Sequence, residues 1–179
     1  MRHIGLLMTG VLGLAFVTAN PANAAPGDTT VTFTVTAGAL TITVPATKNL
    51  GTNVPPGRTV SAALGNVTVD DLRGANPAAW TAQVASSAFA ATGAPTTPAI
   101  PDIPASAVTY TPGAEVSHAG DGTFTAGTAG TLSSTPRDAY THAAGTGSSQ
   151  LVWDPTLSVA VPNTAASVQY SGTVTHSVA

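Results

Sequence analysis

Hydrophobic and polar residues alternate with a period of two through much of this chain. Thr30 to Thr36 reads TVTFTVT, with Val31, Phe33 and Val35 on one side and threonines on the other, which predicts a half-buried β-strand. Leu40 to Val44 repeats the pattern after Ala37-Gly38-Ala39, so the two runs form a hairpin or one kinked strand, ended by Pro45. Beyond the turn cluster Val54-Pro55-Pro56-Gly57, the run Val60 to Val69 predicts another strand, with Leu64, Val67 and Val69 as core positions. Asp70 and Asp71 mark its exit, and after a short loop Trp80, Ala82 and Val84 share one face of the next strand. Thr92 to Pro104 carries four prolines and reads as a loop or edge segment, followed by a short strand holding Val108 and Tyr110. Thr111 to Ser149 is rich in Gly, Thr, Ser and Ala, with isolated Phe124, Leu132 and Tyr140; it reads as short edge strands and turns, one of them at Asp121-Gly122. Leu151 to Val161 and Val168 to Val178 predict two closing strands. An apolar period of 3.6 is not sustained in any segment after the amino terminus, so the expected fold is all-β, an antiparallel β-sandwich with long irregular loops.

The amino terminus changes the picture of where the chain works. Arg2, an apolar run from Ile4 to Val17 and the small-residue site Ala22-Asn23-Ala24 follow the order of a secretory signal peptide over residues 1–24. That apolar run is shorter than the ~20 residues of a spanning helix, so no membrane span is expected after cleavage, and residues 25–179 form one domain. The chain has no cysteine, which removes disulfides, thiol chemistry and thiolate metal sites and leaves stability to packing. Charged residues make up 7% of the chain and the net charge is -3, with Lys48, Arg58, Arg73 and Arg137 scattered; a nucleic-acid partner is not expected. At 43% hydrophobic residues the chain is too apolar for disorder.

Candidate chemistry is sparse. Trp80 and Trp153 are the only tryptophans, and each reads in two ways. An indole face stacks on a pyranose ring, whereas a sandwich built largely from Val, Ala and Leu needs large residues to fill its interior. Asp70 and Asp71, with Arg73 beside them, offer carboxylates to a cationic or amine ligand; the alternative is a turn in which Asp accepts backbone N–H groups and pairs with Arg73. Neither an acidic calcium loop nor a closely spaced histidine pair is present, and His118, His142 and His176 read as surface residues, so no metal or other cofactor is expected. Glu115 is the only glutamate and there is no Gly-x-Ser-x-Gly elbow. The run Gly120 to Gly130 lacks the lysine of a phosphate loop and reads as a flexible surface loop.

The segments VTVDDLRGANPAAWTAQV, IPASAVTYTPG and GSSQLVWDPTLSVAVPNTAASVQYSGTVTHSV together resemble WxL-type surface domains, secreted β-rich modules of Gram-positive bacteria that associate noncovalently with the cell wall. Ala82 stands where the family name implies leucine, and Leu157 lies two places further on than expected, so the likeness is to a divergent, actinobacterial-type branch. The resemblance implies a non-catalytic extracellular protein held on cell-wall polysaccharide or peptidoglycan, with other surface proteins as further partners. Trp80, Trp153, Asp70, Asp71 and Arg73 are its candidate ligand contacts. The chain ends inside a strand pattern without a Leu-Pro-x-Thr-Gly signal, so retention is expected from the fold itself. Two other classes stay open: a structural subunit of a surface fibre or layer, whose edge strands pair between copies, and a wall-acting hydrolase.

Overall fold

The computed structural model describes residues 29–93 and 99–179. The expected signal peptide and residues 94–98 of the proline-rich segment lie outside the described residues. The compact unit spans Val35–Ala179.

Two long strands organise it. β3 (Val67–Ser86) and β9 (Arg137–Trp153) pair antiparallel along most of their lengths, from Val67 opposite Trp153 to Val84 opposite Arg137. The outer edge of β3 carries β1 (Leu40–Thr43) beside its first half and β12 (Val174–Val178) beside its second. The outer edge of β9 carries β6 (Glu115–Ala119) and β7 (Thr123–Ala126) in the same way, which completes a six-stranded sheet. A second sheet has the order β2 (Thr59–Ala63), β10 (Thr156–Ala160), β5 (Val108–Thr111), β8 (Gly130–Thr131). A small ribbon joins β4 (Ala90–Thr92) to β11 (Gln169–Ser171). Every pairing is antiparallel, and the only helical element among the described residues is one 3-10 turn, Ala105–Ala107. The fold is the expected all-β sandwich; no described helix is long and apolar enough to cross a membrane.

Several strand boundaries differ from the sequence pattern, each for a local reason. The run Val60 to Val69 is divided between sheets: β2 ends at Ala63, and β3 begins at Val67 on the other layer. The closing run Leu151 to Val161 breaks in the same manner at Asp154-Pro155. The Asp154 carboxylate accepts the Gly65 N–H at 2.9 Å and so fastens one corner to the other, as strands that switch sheets require. Conversely, the expected loop before Trp80 is strand. β3 runs through it with register shifts between Asp71 and Trp80, and Gly74 takes φ 64°, a backbone state open to glycine. Asp70 and Asp71 therefore lie within a strand, not at its exit. β9 likewise crosses much of the stretch that reads as turns, because alternate residues Tyr140, His142 and Ser149 to Trp153 face inward despite their mixed polarity.

The expected strand Thr30 to Thr36 is not formed. No strand assignment covers residues 30–39, and Val31, Phe33 and Val35 are 80%, 85% and 82% exposed. The β1 ladder ends where Gly38 N–H meets the Leu72 carbonyl at 2.8 Å. Beyond that point the edge of β3 is irregular, and Pro77 has no N–H to offer.

The core lies between the sheets. Val67, Val69, Ala82, Val84 and Leu151 meet Val108, Tyr110, Leu132 and Leu157, all buried. Trp153 has no exposed surface and packs on Tyr140 at a ring separation of 5.1 Å. Burying an indole removes about 150 to 250 Å² from water, an upper bound of about 4 to 6 kcal/mol, which is a large contribution in a valine-rich interior.

Candidate functional site

The five residues expected at a ligand site divide into three settings. Trp153, at the end of β9, donates its indole N–H to the Tyr110 hydroxyl at 3.1 Å and presents no ring face to solvent. Asp70 points to the opposite face of β3 and accepts a 2.6 Å bond from Gln150, its cross-strand partner on β9. Asp71, Arg73 and Trp80 come together on the inner side of the β3 bulge. Both tryptophans are thus core residues: Trp80 is 3% exposed, and a ring without a free face cannot stack on a sugar.

Asp71 is fully buried and accepts two parallel bonds from the Arg73 guanidinium, at 2.9 and 2.8 Å, together with the Arg73 backbone N–H at 3.0 Å. The same guanidinium reaches the Ala79 carbonyl at 2.8 Å, so the pair clasps the two ends of the bulge. The hydrogen bond from Arg73 holds the Asp71 carboxyl below the usual carboxylate range against the opposing effect of burial, and the same bond raises the guanidinium pKa. This is the pairing of aspartate with backbone N–H and Arg73, placed in a bulged strand.

A second group, unmarked in the sequence pattern, surrounds Trp80. His142 lies opposite Trp80 on β9, and Phe124 of β7 lies opposite His142 on its other side. The Phe124 and His142 rings stack at 4.4 Å with 12° between planes, and His118 of β6 packs at 5.0 Å from Phe124. His142 Nε2 lies 2.9 Å from the Asp121 carbonyl, which fixes the ring proton on that nitrogen. Nδ1 then accepts from the Ser149 hydroxyl at 3.5 Å, while Trp80 donates to the same hydroxyl at 3.4 Å. Gly122 presses against the imidazole: a Cβ there would lie 2.6 Å from Nε2.

Serine beside histidine has the connectivity of a nucleophile and its base, but not the access. Ser149 is 6% and His142 2% exposed, the contact is long, and the Asp121 carboxylate is occupied by Thr146 at 2.7 and 2.6 Å instead of orienting the ring. The Thr146 bonds lower the Asp121 pKa. The network satisfies buried polar groups in an otherwise apolar layer; among the described residues no buried side-chain nitrogen or oxygen lacks a partner.

His176 of β12 differs from its expected surface setting. Its Nε2 lies 3.1 Å from the Tyr110 hydroxyl, which already accepts the Trp153 N–H, so Tyr110 donates to the ring and the imidazole is neutral. Burial pushes the His176 pKa down to about 4 and the Tyr110 pKa up to about 12. The residue stands at a cleft of about 370 Å³ walled by Leu50, Leu64, Phe89, Leu157 and Val174.

An open concavity lies in the stretch that reads as loop. It is a shallow groove of about 520 Å³, lined by Thr125, Thr128, Thr131, Ser133, Thr135 and Thr141 with Arg137 and Asp138. Arg137 holds its walls together by donating to the Thr131 carbonyl at 3.1 Å and to the Thr128 carbonyl at 2.7 Å. Asp138 accepts from Gln83 at 2.9 Å across the β3–β9 pair. The strand register sets Thr125 of β7 beside Thr141 of β9, while Thr131 of β8 and the loop residues Thr128, Ser133 and Thr135 bring the remaining hydroxyls, so no local motif marks the cluster. Threonine density in this stretch is the one signal in the sequence that points to it.

No group of three His, Asp or Glu side chains that could hold a metal ion occurs among the described residues. Comparison with protein-family models, with curated proteins and with solved structures finds no match to this chain.

Proposed function

We propose that this chain is a secreted, non-catalytic surface domain of the WxL type, retained noncovalently on the polysaccharide or peptidoglycan of a bacterial cell wall. The hydroxyl-lined groove beside β7 and β9 carries this reading. Its volume of about 520 Å³ falls within the range of small-ligand sites. Its lining exchanges hydrogen bonds with sugar hydroxyls and amides without requiring net charge. Arg137, tied to the groove wall, acts as a positioning residue. The signal-peptide pattern and the WxL-like segments supply the wall as the nearest polymer of that chemistry.

Secreted protein mixed with isolated bacterial walls is expected to co-sediment. A Thr125→Val, Thr135→Val double variant removes two hydroxyls without altering volume and is expected to lower the bound fraction about tenfold, the equivalent of two modest hydrogen bonds. Complete recovery of the unaltered protein in the supernatant overturns the proposal.

A further inference from the structure

The unformed amino-terminal strand is the feature left without a role. Thr30 to Thr36 has seven residues without charge, proline or glycine, strict alternation, and three large apolar side chains at 80% exposure or more. Such segments are normally paired or broken by charge, because free strands of this composition add to sheet edges.

One edge of the domain has the complementary form. β2 is terminal in its sheet and pairs β10 through five residues in unbroken register. The bonds from Leu64 N–H to the Pro155 carbonyl and from Val161 N–H to the Arg58 carbonyl set the phase of that ladder. They turn the backbone groups of Val60 and Ala62 toward β10 and those of Thr59, Ser61 and Ala63 toward the open edge. No backbone partner for these three occurs among the described residues. Along β2, Val60 and Ala62 are half-buried, while Thr59, Ser61 and Ala63 are exposed. A strand with Val31, Phe33 and Val35 inward and threonines outward continues this pattern. β2 has no lysine, proline or bulge to protect it.

Only Ala37 separates the segment from Gly38, whose amide is held by Leu72 in the six-stranded sheet. One residue spans at most ~3.6 Å, against the ~10 Å between packed sheets, so a full seven-residue strand along β2 favours a second copy as its donor. We infer that Thr30–Thr36 of one copy adds as a strand to the free edge of β2 in a second copy, in a heterologous, head-to-tail contact. Phe33 alone buries about 150 to 250 Å² on docking. One joint buries roughly half of the ~800 Å² per partner of a standard interface, and a copy engaged both as donor and as acceptor reaches about that amount. Single joints are therefore weak, and assembly is concentration-dependent and open-ended. This inference stands apart from the wall-binding reading, since it uses neither the groove nor any wall component.

Sedimentation velocity of the secreted protein across a concentration series tests it. Unaltered chain is expected to form a ladder of oligomers. Phe33→Asp, which spoils the donor, and Ser61→Pro, which removes an outward N–H while sparing the β10 ladder, are each expected to weaken association at least tenfold. Mixing the two is expected to restore dimers and nothing larger, because only one donor and one edge remain intact. Tryptophan fluorescence confirms folding of each variant. Should Ser61→Pro fail to fold, a synthetic Thr29–Ala37 peptide added to the Phe33→Asp protein supplies the test, with saturable binding expected. A monomeric profile for unaltered chain up to about 1 mM, undiminished oligomers of Phe33→Asp, or no binding of the peptide overturns the inference.

Discussion

The two ends of the β3–β9 pair each hold one tryptophan and surround it differently. At the Trp153 end the indole is enclosed by Val67, Tyr140 and Tyr110, and its one hydrogen bond, 3.1 Å to the Tyr110 hydroxyl, leads on only to the neutral His176 ring. At the Trp80 end the indole meets His142, Ser149 and Phe124, beside the buried Asp71–Arg73 pair. The first environment stabilises by excluding water; the second closes a bulge and satisfies the polar groups that the bulge leaves inside. One residue type thus serves as filler in one place and as a member of a polar network in the other.

The largest break in this comparison is Trp153→Ala. It leaves a cavity in the dry end and is expected to cost about 3 to 5 kcal/mol in denaturant unfolding. Next is acid. The folded His176 has a pKa of about 4 against an ordinary value of 6.5, so between these values the unfolded chain binds the additional proton. Its contribution is fully present above pH 6.5 and is lost as pH falls toward about 4, by up to about 3 kcal/mol. His176→Gln is expected to flatten that limb of the stability curve. The limb that remains belongs to Asp71 and Asp121, whose lowered pKa values preserve their contributions until the pH drops below the ordinary aspartate value of 3.8. Asp71→Asn keeps the shape but weakens the Arg73 clasp. Because the Arg73 side chain retains 35% exposure, the expected loss is about 2 kcal/mol, less than for a fully enclosed pair. The smallest effect is Trp80→Phe, which deletes one long bond to Ser149 for about 1 kcal/mol. Equal losses for Trp153→Ala and Trp80→Ala would remove the distinction between the two ends.

Alternation made the fold class legible, since Leu40 to Thr43 and Trp80 to Val84 keep one apolar face where they pair. It failed where a strand carries polar residues inward: His142 and Ser149 break the apolar pattern of β9 and were hidden by it. It also overreached at Thr30 to Thr36, where the pattern is ideal but the adjoining edge of β3 is irregular. Pattern reports what a strand can bury, and pairing decides whether it does. Of the candidate contacts, the Asp71–Arg73 pairing was legible because a single residue, Leu72, separates the carboxylate from the guanidinium. The hydroxyl groove was not, because Thr125 and Thr141 meet only through the register of β7 and β9, and Thr131 joins them from β8.

Under the proposed function, ligand meets the groove while both tryptophans stay in the core. Amide and indole N–H spectra of the labelled protein titrated with soluble wall glycan fragments test this directly. Shifts are expected at Thr125, Thr128, Thr131, Thr135 and Asp138 with both indole signals unmoved; indole shifts with a silent groove would contradict the proposal.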